Sequence, residues 1–153
     1  MLLCLMAWMQ IFLMVIDFSI DEFLGGKLKI KQPQRGYRAG IDPVLLAASV
    51  NASKGDNILE LGCGVGVASL CLAKRVAGLN IYGVEIQSDY AALAIENSQL
   101  NSMELNVVSA DIGRLPDSVK QIQFDHVMAN PPYFERLAST MSFNRGRDAS
   151  RIL

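Results

Sequence analysis

Hydrophobic and polar residues divide the chain into regions of different rhythm. Residues 1 to 16 read M-L-L-C-L-M-A-W-M-Q-I-F-L-M-V-I, with Gln10 the one polar side chain, and show no period. The next stretch alternates: Phe23, Leu28 and Ile30 fall among Lys27, Lys29 and Lys31, the period of a half-buried strand, and Gly25-Gly26 supplies the turn before it. Q-P-Q-R-G-Y-R-A-G-I reads as loop, because Pro33, Gly36 and Gly40 punctuate it. Asp42 followed by Pro43 starts a helix with V-L-L-A-A-S-V as its body, and Lys54-Gly55-Asp56 ends it.

From Asn57 the rhythm alternates between short apolar runs and helical segments. Strands are expected at Asn57 to Leu61, Ile81 to Ile86, Leu105 to Ser109 and Phe124 to Ala129. Helices are expected at Val67 to Ala77 and from Ser88-Asp89 to about Asn101, while Gly113 to Gln123 reads as a polar connection. Strands separated by helices at this spacing predict an α/β fold with right-handed crossovers and a doubly wound, mainly parallel sheet. The chain then divides into an apolar leader at 1-16, a strand, loop and helix extension at 17-56, and a core at 57-153.

Composition changes this picture at one place. The 153 residues are 51% hydrophobic and 19% charged, too apolar for disorder, and the leader alone inflates that apolar fraction. The leader lacks the basic start and small-residue cleavage site of a signal peptide. It is also short for a membrane span and has no basic flank, so the favoured reading is a segment foreign to the domain, with translation starting at Met14. A membrane association is not expected unless that leader is native. Cys4, Cys63 and Cys71 make an odd number without C-x-x-C spacing, and His126 is the single histidine. A disulfide scaffold and a zinc site are therefore not expected, no metal is assigned, and a cytoplasmic setting fits best. The net charge of −1 excludes a broad electrostatic footprint for nucleic acid while leaving room for a local basic patch.

Candidate chemistry gathers at the carboxyl ends of the expected strands. The first core strand runs into E-L-G-C-G-V-G-V, where Gly62, Gly64 and Gly66 remove side chains from a sharp strand-to-helix turn, so that a ligand can press against backbone and helix N-terminus. Such turns also serve dinucleotides, but the spacing is G-x-G-x-G rather than G-x-G-x-x-G. Glu85 ends the next strand, where a carboxylate can accept from both hydroxyls of a ribose; an exposed acid at a strand end is the plainer reading. Asp111 follows the third strand and can accept from an adenine amino group, or is an ordinary loop aspartate. Three acids, Glu60, Glu85 and Asp111, recur along the edge where doubly wound sheets bind ligands. N-P-P-Y, residues 130 to 133, leaves the fourth strand at the same edge. Pro131 and Pro132 hold the backbone extended, the Asn130 side chain and the Pro131 carbonyl are acceptors, and Tyr133 offers a flat stacking face: together, a holder for a planar amino group.

E-L-G-C-G-V-G-V with Glu85, Asp111 and N-P-P-Y resembles the class I S-adenosylmethionine-dependent methyltransferases that modify exocyclic amines. More narrowly, F-L-G-G-K-L-K-I-K-Q-P-Q-R-G-Y-R-A-G-I-D-P-V-L-L-A-A through F-D-H-V-M-A-N-P-P-Y-F-E is similar to the bacterial tRNA adenine-N6 methyltransferases of the small-methyltransferase-domain type, over about residues 17 to 135. The resemblance implies a Rossmann-like fold and S-adenosylmethionine as cofactor. It implies that Glu60, Gly62, Cys63, Gly64 and Gly66 line the methionine and ribose side, that Glu85 binds the ribose and Asp111 the adenine, and that Asn130, Pro131, Pro132 and Tyr133 hold the target base. It also implies a larger sheet than the four strands countable before Leu153, so the core is expected to be C-terminally incomplete.

A tRNA partner is also suggested by charge, since Lys27, Lys29, Lys31, Arg35 and Arg38 follow one another without an intervening acid. Alternating lysines equally describe the solvated face of an edge strand. Protein glutamine-N5 methylation is the alternative enzyme reading, because a side-chain amide presents the same planar amine. An inactive or binding-only fragment is the alternative of another class, and a dinucleotide-dependent oxidoreductase is disfavoured by the glycine spacing.

Overall fold

The computed structural model describes residues 17–131. A hairpin of β1 (Phe18–Phe23) and β2 (Leu28–Pro33) comes first, followed by α1 (Asp42–Ser49) and β3 (Asn57–Leu61). Then come α2 (Val67–Arg75), β4 (Asn80–Glu85), α3 (Ser88–Leu100), β5 (Asn106–Ser109), a 3-10 turn (Ile112–Arg114), α4 (Asp117–Lys120) and β6 (His126–Ala129). The four core strands form one parallel sheet in the order β5-β4-β3-β6, as the alternation of strands and helices predicts. The chain winds from β3 outward to β5 and then returns to place β6 on the other side of β3. That reversal puts a topological switch point between the carboxyl ends of β3 and β6, the position where such sheets open a ligand crevice.

The sheet is buried on both faces by different partners. Ile58, Ile81 and Met128 point into a core shared with Leu70 and Leu72 of α2, Leu93 of α3, Ala47 of α1 and Leu28 and Ile30 of the hairpin. Leu59 and Val84 look the other way, onto Val119 of α4 with Tyr82 and Phe124 edge to face at 5.6 Å. Among the described residues no helix is long and apolar enough to cross a membrane.

The hairpin is joined to the core by side chains that imitate a strand. β2 pairs with β1 on one edge, so the backbone groups of Lys29 and Lys31 point to the other. There the Asn97 amide of α3 accepts from the Lys31 N–H at 2.7 Å and donates to the Lys31 carbonyl at 3.0 Å. Asn101, one helical turn on, repeats the pair with Lys29 at 2.9 and 2.8 Å. Asn97 is fully buried and donates also to the Val65 carbonyl at 2.9 Å, so one amide ties the hairpin, α3 and the glycine turn together.

Two expectations about this region are corrected. The extension holds a hairpin where a single strand was expected, and the added strand, β1, has an inverted pattern, with Ile20 61% exposed while Asp21 turns inward to the Arg38 guanidinium at 2.5 Å and the Gln32 amide at 2.7 Å. β2 runs on through Gln32 and Pro33, which sequence assigned to loop, because the buried Gln32 amide accepts from the Ala39 N–H at 2.8 Å and closes the following loop on itself. The connection read at Gly113 to Gln123 contains α4 and most of the 3-10 turn; α1 stops at Ser49, a turn short of the Lys54-Gly55-Asp56 end read from sequence, and the remaining boundaries shift by two residues or fewer.

The start of α2 rests on a buried acid. Gly66 precedes it at φ +86°, and a Cβ there would stand 3.3 Å from the Ala94 Cβ and 3.2 Å from Leu105, so glycine is needed both for the turn and for the approach of α3. Glu60, 3% exposed, accepts from the Ser69 N–H at 3.1 Å and the Ser69 hydroxyl at 2.5 Å, serving one of the orphan donors of the helix's first turn. Burial pushes the Glu60 carboxyl up to about 7, against the lowering effect of the two Ser69 hydrogen bonds and with a small further rise from Glu85.

Replacing Asn97 by Ala leaves a strand N–H and two carbonyls without their partner, and we expect a loss of about 3 kcal/mol in urea unfolding, well above the loss for Asn101→Ala. The folded protein holds the Glu60 proton more tightly than the unfolded chain. That contribution is complete below the unfolded value of 4.5 and is lost as pH rises through about 7. Stability should therefore fall by up to about 3 kcal/mol between those limits, and Glu60→Gln should flatten the decline when unfolding is measured from pH 4.5 to 8.

Candidate functional site

The turn after β3 is fastened to the end of β4. Gly62 N–H and Cys63 N–H both donate to the Val84 carbonyl, at 2.8 and 3.0 Å, and Gly64 N–H donates to Glu85 Oε2 at 2.9 Å. Glu85 Oε1 accepts from the Gln87 N–H at 2.9 Å, so the carboxylate bridges the glycine turn and the exit of its own strand. Gly62 lies at φ +69° with nothing within 4 Å of an added Cβ, which leaves the outer side of the turn open to an approaching group.

The edge is acidic below the turn. Cys63 packs inward on β4, where a Cβ on Gly83 would stand 2.7 Å from its sulfur, so Gly83 makes room for the thiol. Burial, followed by the charges of Glu60 and Glu85, pushes the Cys63 thiol well above its ordinary value. It is a protonated packing group, and only the backbone of Cys63 takes part in the outer surface. Burial and Glu60 likewise push Cys71 up to about 11. Both cysteines are free. His126 stands 3.3 Å from Asp56, at the amino end of β6 and so at the opposite edge of the sheet.

Four sequence-singled positions come together along the carboxyl edge. In register, Glu85 lies opposite Ser109, Val84 opposite Leu61 and Leu61 opposite Ala129, so the next residues bring Asn130 beside Gly62. The Ala110 N–H donates to the Glu85 carbonyl at 3.0 Å, which sets the exposed Asp111 beyond it. Asp111 Oδ1 accepts from the Gly113 N–H at 2.8 Å. The row thus runs Asp111, Glu85, Gly62 and Asn130 over strands β5, β4, β3 and β6, a span of roughly 14 Å at three strand spacings. Glu60 is not in this row; it lies two residues deeper, under α2. Pro131 is exposed beside Asn130, while Pro132 and Tyr133 lie outside the described residues.

Sequence reasoning missed Tyr37 as a member of the site. Its loop is tied to α3, with its N–H donating to the Tyr90 hydroxyl at 3.1 Å and its carbonyl accepting from that hydroxyl at 3.2 Å. The Tyr37 ring reaches 4.0 Å from an added Cβ at Gly64, and its own hydroxyl accepts from Asn130 Nδ2 at 3.4 Å. An aromatic residue in a glycine- and proline-punctuated loop was the available signal.

The basic run separates into two groups. Lys31 pairs with Glu96 at 2.8 Å and lies 4.3 Å over the Phe18 ring, and Arg38 pairs with Asp21. Lys27, Lys29 and Arg35 are exposed.

The donor set fits an adenosyl group carrying an amino acid. Each Glu85 oxygen keeps a second lone pair for a ribose hydroxyl, the open turn at Gly62 admits a ligand chain, and the acids at the edge disfavour the phosphates of a dinucleotide.

Comparison with known proteins identifies the family. A family model, Methyltransferase small domain, matches residues 39–145. A tRNA1(Val) (adenine(37)-N6)-methyltransferase of Glaesserella parasuis is 34% identical over 76% of this chain and 48% of its own length. A putative protein N5-glutamine methyltransferase of Methanocaldococcus jannaschii is 32% identical over 82% of this chain and 65% of its own. The chain spans about half the length of the tRNA methyltransferases it matches. Among solved structures, a T. thermophilus 16S rRNA N2 methyltransferase in complex with AdoMet and guanosine superposes with a TM-score of 0.60 at 20% identity, over 77% of this chain and 33% of that one, a likeness of fold. With the family model matching more than half its length, the chain belongs to the methyltransferase small-domain family.

Proposed function

We propose that this chain carries S-adenosylmethionine-dependent methyl transfer to an exocyclic amine, and that the amine is adenine N6 in a tRNA. The observation that carries the reading is the row of Asp111, Glu85, Gly62 and Asn130, whose chemistry follows adenine, ribose, methionine and acceptor amine in that order. The similarity to tRNA adenine-N6 methyltransferases supports the base as acceptor. Exposed Lys27, Lys29 and Arg35 supply cations for an RNA backbone.

The cofactor supplies a methyl group on a positively charged sulfur. The protein's part is then positioning. Glu85 takes the ribose hydroxyls, and Asp111 takes the adenine amine of the cofactor. Asn130 Oδ1 and the Pro131 carbonyl accept the two N–H groups of a flipped-out target amine, which leaves its nitrogen lone pair facing the turn at Gly62. Tyr133 is assigned the stacking role, and water takes the proton released once the nitrogen is methylated. Cys63 is given no covalent part, since its thiol is buried and protonated.

The test is incubation of the chain with methyl-labelled S-adenosylmethionine and either total tRNA or release factors. Label is expected in tRNA, as N6-methyladenosine on digestion, and Asn130→Ala is expected to abolish it while retaining the cofactor. Label in release factors instead would establish the glutamine reading that the archaeal relative favours. Undiminished labelling of tRNA by Asn130→Ala would overturn the role given to the N-P-P-Y segment.

A further inference from the structure

We infer that Tyr37 is a positioning residue for the acceptor: its hydroxyl takes the Asn130 amide N–H and so turns the Asn130 carbonyl oxygen toward the incoming amine. The inference rests on the amine-methylation reading above. A side-chain amide has a donor end and an acceptor end, and rotation by half a turn exchanges them. An Asn that must accept from a substrate amine is useful in one of those two orientations only. The other presents N–H groups to N–H groups.

The structure holds the amide in one orientation, with its nitrogen on the side of the Tyr37 phenol. Asn130 Nδ2 lies 3.4 Å from the Tyr37 hydroxyl, a contact across 93 residues of sequence that no local turn geometry enforces. The phenol is itself held in place from behind. Both backbone groups of Tyr37 bond the Tyr90 hydroxyl, and Tyr90 is 6% exposed within α3. Gln32, closing the loop onto Ala39, fixes the same segment from its other end. The ring edge rests beside Gly64, so Tyr37 touches the turn assigned to the cofactor and the residue assigned to the acceptor at once. It sits above the switch point between β3 and β6, where the two must meet. A rigid phenol at that junction costs little conformational entropy on binding, because its loop is already tied down.

Tyr37→Phe removes the hydroxyl and keeps the ring. We expect kcat on tRNA to fall by about ten-fold, with KM for tRNA and affinity for S-adenosylmethionine within about two-fold of the parent. In nitrogen-15 spectra the two side-chain N–H resonances of Asn130 should shift in the variant. An unchanged kcat, or a loss confined to KM or cofactor affinity, would overturn the inference. Should the parent chain label no tRNA, the functional reading fails by itself; the Asn130 resonances then decide this one, and their indifference to Tyr37→Phe would overturn it.

Discussion

The turn from β3 into α2 has to reverse direction over the end of β4 without side chains in the way, and nearly everything at the functional edge follows from how it is held there. Two amides of the turn share the Val84 carbonyl, a third takes a Glu85 oxygen, and Cys63 drops its sulfur onto a strand position where a side chain is missing. These contacts fix the first turn of α2, which lets Glu60 reach the Ser69 N–H, and they fix Val65, whose carbonyl Asn97 then links to the hairpin. Removal of the carboxylate at Glu85 would release the turn and the strand exit together.

That fastening has an electrostatic consequence. Glu60 and Glu85 stand close enough on one face of the sheet for each to raise the cost of ionising Cys63, and for Glu85 to disfavour charge on Glu60. A ligand at this edge meets carboxylates and open backbone. Hydroxyls and amines are the complementary groups, and a sulfonium adds a favourable positive charge. Phosphate is the mismatched one. The same edge lies at the switch point of the strand order, so the site's chemistry and the sheet's topology select the same crevice.

Much of this edge was legible in the chain. Apolar runs ending in glycine or acid marked β3, β4 and β5, and N-P-P-Y marked the exit of β6, because strand ends in a parallel sheet carry their chemistry in sequence. Depth along a strand was not legible. Glu60 and Glu85 share a face, but Glu60 lies two residues further in and caps a helix, a distinction that depends on where α2 settles. β1 was hidden by its inverted pattern, with Asp21 inward and Ile20 outward. Tyr37 was hidden because its position depends on Tyr90, in a helix 53 residues away. The lysine run looked uniform, yet Glu96 on α3 takes Lys31 out of it.

The central claim is that this edge binds an adenosyl amino acid through the glycine turn and Glu85. Calorimetric titration of the chain with S-adenosylmethionine and, separately, with NAD tests it most directly. The account predicts saturable one-to-one binding of S-adenosylmethionine, lost in Glu85→Ala, and no binding of NAD. Absence of heat with S-adenosylmethionine, or binding that ignores the loss of Glu85, would contradict it.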